Sequence, residues 1–97
     1  MIVIRNTFQL KYGKAKDAKA IMKKLRDAGG SSMNGARVLT DVTGSFYTMV
    51  LEFTEKDLAT WEANQGKDLG NAAIRPLLEE FSTLVEGGHR EIYNIVE

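Results

Sequence analysis

The sequence predicts an α+β domain in which helices cover one face of a four-stranded antiparallel sheet. Two observations carry this. Four segments alternate in character at the two-residue period of a strand, and two regions repeat apolar residues at three- and four-residue steps. Their order along the chain is βαββαβ, and 97 residues suffice for one domain, 1–97.

The first strand is expected over Ile2–Lys11. Ile2, Ile4, Phe8 and Leu10 share a face with Asn6 among them, and Val3, Arg5, Thr7 and Gln9 lie on the other. Tyr12 and Gly13 turn the chain into a helix over Lys14–Ala28. Its stripe is Ala15, Ala18, Ile21, Met22, Leu25 and Ala28, and Gly29 and Gly30 stop it. Lys16, Lys19, Lys23 and Lys24 fall mostly off that stripe and read as a solvated face. A loop over Gly30–Gly35 precedes a second strand, Ala36–Thr43. Gly44 and Ser45 then allow a tight turn into a third, Phe46–Thr54, where Tyr47, Met49, Leu51 and Phe53 make one apolar face.

Thr54 is the expected N-cap of a helix over 55–64 carrying Trp61, the only tryptophan. Pro76 inside one long helix would cost about 3 kcal/mol. A separate helix is therefore expected, starting between 68 and 75 and ending near Glu86 at Gly87–Gly88. Its stripe is Ile74, Leu77, Leu78, Phe81, Leu84 and Val85, and a last strand follows over Arg90–Val96. Two helical regions on one face of such a sheet form the ferredoxin-like arrangement.

With both helices on one side, a wet opposite face should be polar. Here either parity leaves large apolar groups outside: Val3 or Ile4, Leu39 or Val38, Phe46 or Tyr47, Tyr93 or Ile92. Such a patch marks an interface, and the simplest cover is a second copy across a two-fold axis. A homodimer through the open sheet face is therefore expected.

Composition narrows the function classes. Thirteen basic residues balance thirteen acidic ones, which gives no excess to hold nucleic acid. Without cysteine there are no disulfides or thiolate metal sites. The N-terminus does not read as a signal peptide, and no run approaches the ~20 apolar residues of a membrane span, so a cytoplasmic protein is expected. No Ser/His/Asp or Cys/His set, phosphate-binding glycine loop or converging metal ligands can be read, so no residue is assigned as catalytic or metal-binding.

The candidate ligand-binding residues are Asn6, Phe46, Trp61 and Arg75. An asparagine on an apolar strand face must be hydrogen-bonded, either to a neighbouring backbone group or to a substrate carbonyl or enolate. Trp61 either packs in the core or walls a flat hydrophobic site. Arg75 and Arg37 either pair on the surface or anchor an anion. His89, after two glycines, reads as solvent-facing.

The frame MIVIRNTFQL, KYGKAKDAKAIMKKL, GSFYTMVLEFTEKDLATWE and LVEGGHREIYNI resembles the dimeric α/β-barrel superfamily over nearly the whole chain. Within it, the sequence is most similar to NIPSNAP-like proteins and antibiotic-biosynthesis-type monooxygenases. The resemblance implies one of two functions. The first is a cofactor-independent, oxygenase-like enzyme acting on a small hydrophobic or aromatic substrate. The second is a non-catalytic homodimeric binding or accessory protein of NIPSNAP-like type. Haem-degrading members are similar at Asn6 and Trp61. Their ligating histidine would fall about three turns past the tryptophan, where this chain has GNAAIR with Asn71. Histidine-ligated haem is therefore not expected, and no cofactor is.

Overall fold

A computed structural model describes residues 1–29 and 35–96. The elements are β1 (Ile2–Leu10), α1 (Ala15–Asp27), β2 (Arg37–Thr40), β3 (Thr48–Glu55), α2 (Leu58–Leu69), α3 (Arg75–Ser82) and β4 (Val85–Asn94). The sheet is antiparallel with order β2-β3-β1-β4, so the two βαβ halves interleave through the central pair β3 and β1. This is the ferredoxin-like α+β fold read from the sequence. Most of the loop expected over 30–35 lies outside the described residues.

The core fills the space between sheet and helices. Ile2, Ile4 and Leu10 of β1 and Met49, Leu51 and Phe53 of β3 meet Ala18, Ile21, Met22 and Leu25 of α1, with Ile74 and Phe81 closing the side under α3. Strict alternation put these strand residues on one face, and the apolar stripe of α1 lies against them.

The boundaries differ from expectation at five places. β2 stops at Thr40, because the Asp41 side chain accepts the Thr48 N–H at 2.9 Å and closes the connection there. Residues 41–47 form a wide turn in which Gly44 has φ +99° and Tyr47 φ +57°, and Phe46 belongs to that turn rather than to β3. The N-cap of α2 is Asp57, whose carboxylate accepts the Thr60 N–H at 2.8 Å, and Thr54 remains in the strand. α2 then runs through Gly66 to Leu69, and β4 begins at Val85, with Gly87 and Gly88 inside it.

Pro76 falls in the first turn of α3, where its missing N–H leaves no intrahelical bond unmade. Replacing Pro76 by Ala should therefore change stability by less than about 0.5 kcal/mol. A thermal melt of the variant checks this, and a marked rise in Tm would count against a first-turn position.

The open face carries one row of alternating charge across all four strands: Arg37, Glu52, Arg5, Glu91. Glu52 accepts from Arg37 at 2.5 Å and from Arg5 at 2.9 Å, and its side chain is only 12% exposed. Glu91 accepts from the Tyr93 hydroxyl and lies 3.4 Å from His89. Val3, Leu39, Val50 and Tyr93 flank the row, so the face is mixed rather than wet.

The hydrogen bonds from Arg37 and then Arg5 hold the Glu52 carboxyl below the usual carboxylate range. A depressed folded pKa means stability that is present above the unfolded value, about 4.3, and lost as pH falls through the folded one. Melting curves should accordingly show the wild type more stable than Glu52→Gln at pH 7, with the gap closing below about pH 4. A gap unchanged down to pH 3 would sink the assignment.

Candidate functional site

α2 is built the wrong way round for a helix that only packs. Its sheltered positions are Thr60, Trp61, Asn64, Gln65 and Asp68, spaced three and four apart, while Leu58 and Leu69 are exposed. A helix held by packing alone turns its leucines in. This one directs amides and a carboxyl inward, and Asp68 is only 7% exposed. Asn64 donates to Glu55 at 3.1 Å.

Of these, Gln65 and Asp68 line a cavity of about 130 Å³ between the helices and the sheet. Phe8, Leu51, Met22, Leu25, Ile74, Leu78 and Phe81 supply apolar walls, and Asn6, Gln65, Asp68 and Arg90 supply the polar groups. Phe8 and Phe81 meet edge to face at 4.9 Å and stiffen one wall.

Asn6 and Arg90 are opposite residues of β1 and β4, and both point to the helix side. The Arg90 Nε–H donates to Asn6 Oδ1 at 2.6 Å. A guanidinium can only donate, which fixes the orientation of the amide: the oxygen faces Arg90, and the Asn6 N–H donors are left without a partner among the described residues. The amide oxygen is thus bonded by a side chain rather than by a neighbouring backbone group. Arg90 also lies over the Trp61 ring, 4.8 Å from its centre, a cation–π contact that holds the guanidinium in place. The Trp61 Nε1–H is buried without a hydrogen-bond partner among the described residues.

Of the four residues read from the sequence, the structure brings two together. Asn6 lines the cavity, and Trp61 supports Arg90 at its edge rather than walling the cavity itself. Phe46 is 75% exposed in the β2–β3 turn, where its carbonyl accepts from Gln9. Arg75 pairs with Glu79 one turn on, at 3.2 Å, and lies outside the cavity, as surface pairing would have it. Arg37 is likewise engaged, by Glu52. His89 pairs with Thr7 on the open face, across the sheet from Asn6, and Asn71 is exposed.

Arg90, Gln65 and Asp68 were not read as site residues. Gln65 and Asp68 had a usable signal, polar residues continuing the helical step from Trp61. Arg90 has none, because the sequence pattern starts the last strand at that residue.

Fold and cavity together define a ferredoxin-like α+β domain with a small sheltered pocket under its helices. Solved structures of the same fold include those of NIPSNAP family proteins and of proteins named for antibiotic-biosynthesis monooxygenases. A NIPSNAP family protein from Agrobacterium tumefaciens superposes with a TM-score of 0.90 at 12% identity, over 99% of this chain and 86% of that one. An uncharacterized NIPSNAP domain protein from Burkholderia xenovorans gives 0.80 at 17% identity, over 99% and 95%. A protein from Nitrosomonas europaea named for the monooxygenases gives 0.75 at 16%, over the full length of both chains. At these identities the likeness establishes the fold. The sequence matches no family model and no curated protein. Among the described residues, no helix is long and apolar enough to cross a membrane.

Proposed function

We propose that the cavity is the substrate site of a small oxygenase-like enzyme that needs no cofactor. The observation that supports this is the meeting of Asn6, Arg90, Gln65 and Asp68 around an otherwise apolar hollow. A volume of about 130 Å³ suits one ring, since a cavity of roughly 150 Å³ takes up benzene. That is too small for the polycyclic quinols a flat site would invite.

In such chemistry the substrate supplies both electrons. An activated CH2, as its enolate, reacts with dioxygen and becomes a carbonyl; one oxygen atom stays on carbon and the other leaves as water. The protein's part is to hold the enolate, with the Asn6 N–H donating to the charged oxygen. The apolar walls keep bulk water away.

One observation favours the second reading, a non-catalytic binding protein: the cavity is smaller than the few hundred Å³ common for ligand sites. Oxygen consumption separates the two. Substituted single-ring hydroquinones and 1,3-diketones should give saturable oxygen uptake above autoxidation, reduced at least about tenfold in Asn6→Ala. Saturable binding without uptake would select the binding protein, and neither binding nor uptake would end both readings.

We also propose that a second copy covers the open sheet face. The row Arg37–Glu52–Arg5–Glu91 is self-complementary: laid against a reversed copy, Arg37 meets Glu91 and Arg5 meets Glu52. Val3, Leu39, Val50 and Tyr93 would supply the apolar contact on either side. Sedimentation at ~50 µM should give a dimer, and Leu39→Asp a monomer. A wild-type monomer at that concentration would remove the proposal.

A further inference from the structure

We infer that Arg90 is an anion-binding residue and that the ligand of the cavity carries a negatively charged oxygen. The inference rests on the reading of the cavity as a small-molecule site and adds the charge of what enters it.

Arg90 differs from the arginines around it. Arg5 and Arg37 share Glu52, and Arg75 has Glu79. Arg90 meets no carboxylate among the described residues. Its protein partners are the Asn6 oxygen, which takes only Nε, and the face of Trp61. Neither terminal nitrogen bonds another of the described residues, and Arg90, which lines the cavity, is itself exposed. A guanidinium held through Nε and over an indole keeps its planar fork oriented and open to a ligand, the geometry that takes up a carboxylate or enolate with two parallel bonds.

Its surroundings agree. The bond to Arg90 turns the Asn6 amide so that its N–H donors remain available to the same region. Two side chains from neighbouring strands thus present only donors to the cavity, and an anionic oxygen is the complement of a donor-only end. Asp68 and Gln65 enter from α2, on the helix side, so the anion belongs at the sheet side and the ring between the phenylalanine and leucine walls.

Trp61 is the only tryptophan and stacks directly on Arg90, so its fluorescence reports on the guanidinium. The test titrates benzoate, benzamide and benzyl alcohol, three probes of nearly one shape, following Trp61 emission and binding heat. Benzoate should bind at least about tenfold more tightly than benzamide, as a charge-assisted pair requires. Arg90→Met, which keeps an apolar stem over Trp61, should remove that preference. Arg90→Lys, which keeps the charge but loses the fork, should retain part of the preference.

Equal binding of benzoate and benzamide by the wild type would overturn the anion assignment and leave the cavity reading in place. So would a benzoate preference that survives in Arg90→Met. Binding of none of the three probes, by either readout, would overturn the cavity reading and this inference with it. The wild-type comparison decides the matter even if Arg90→Met does not fold.

Discussion

Gly88→Ala should be among the most damaging single-methyl changes in this chain. A Cβ at Gly88 would lie 2.3 Å from the Thr7 carbonyl oxygen and 3.3 Å from the Phe8 Cα. Both are backbone atoms of the adjacent strand, so no side chain can swing aside. Gly88 is opposite Phe8 in the β1–β4 ladder, just short of the register shift at Gln9 and Leu10. The methyl group must push the strands apart where they are already irregular. Overpacking of this kind costs typically 1–3 kcal/mol, and backbone contact puts Gly88→Ala at about 3. In a domain of this size that lowers Tm by more than about 10 °C. Gly87 is the control: a Cβ there meets nothing within 4 Å among the described residues. Neither glycine has a positive φ, so strain in the backbone angle does not separate them. Gly87→Ala should melt within a few degrees of the wild type, and similar melts for the two variants would show that the close approach is not what Gly88 provides. Because Arg90 follows two residues later, displacing β4 should also break the Arg90–Asn6 hydrogen bond and weaken binding of an anionic probe.

That glycine pair also shows where the sequence could and could not be read. β1, β3 and α1 were legible because each buries a regular apolar set: Ile2, Ile4 and Leu10; Met49, Leu51 and Phe53; Ala18, Ile21, Met22 and Leu25. Pattern and packing say the same thing there. The first half of β4, VEGGH, has no apolar alternation, and two consecutive glycines ordinarily end a helix. In the fold they serve close backbone approach, which depends on a strand some eighty residues earlier and leaves no local trace. The cost was the pairing of Arg90 with Asn6, since a strand begun at Arg90 gives that residue no partner. The second half of α2, beyond the helix expected over 55–64, was hidden for a related reason. The search for a helix follows an apolar stripe, and this helix shelters Asn64, Gln65 and Asp68 instead. Where local rules fail is where the candidate site lies, which is expected if those positions answer to a ligand rather than to packing. Phe46 misled for the opposite reason. Its bulk suggested a strand facing a partner, but the bond from Thr48 to Asp41 places it in a turn.

Ile4→Ala should be the most destabilising truncation in the core. Ile4 is fully buried at the middle of β1, and its neighbours on the helix side of the sheet are Phe53 and Ile92. Isoleucine to alanine at such a site typically costs 2–5 kcal/mol, the spread depending on how far the surroundings collapse into the space. Collapse is hindered here. Both flanking strands are held by their ladders, and α1 contributes several large buried residues to the same core. A loss of about 4 kcal/mol is therefore expected, a large share of the 5–15 kcal/mol that a domain commands. Ile4→Val, which removes one methylene, should cost only about 1 kcal/mol. The next residues along the same face are Leu51, Asn6 and Arg90, all of which line the native cavity. A hole left at Ile4 lies beside that cavity and can enlarge it. Denaturant unfolding should thus report the loss of stability, and benzamide should restore more of it to Ile4→Ala than to the wild type, because the ligand fills space the mutation opened. If Ile4→Ala unfolds within about 1 kcal/mol of the wild type, the middle of β1 does not anchor this core.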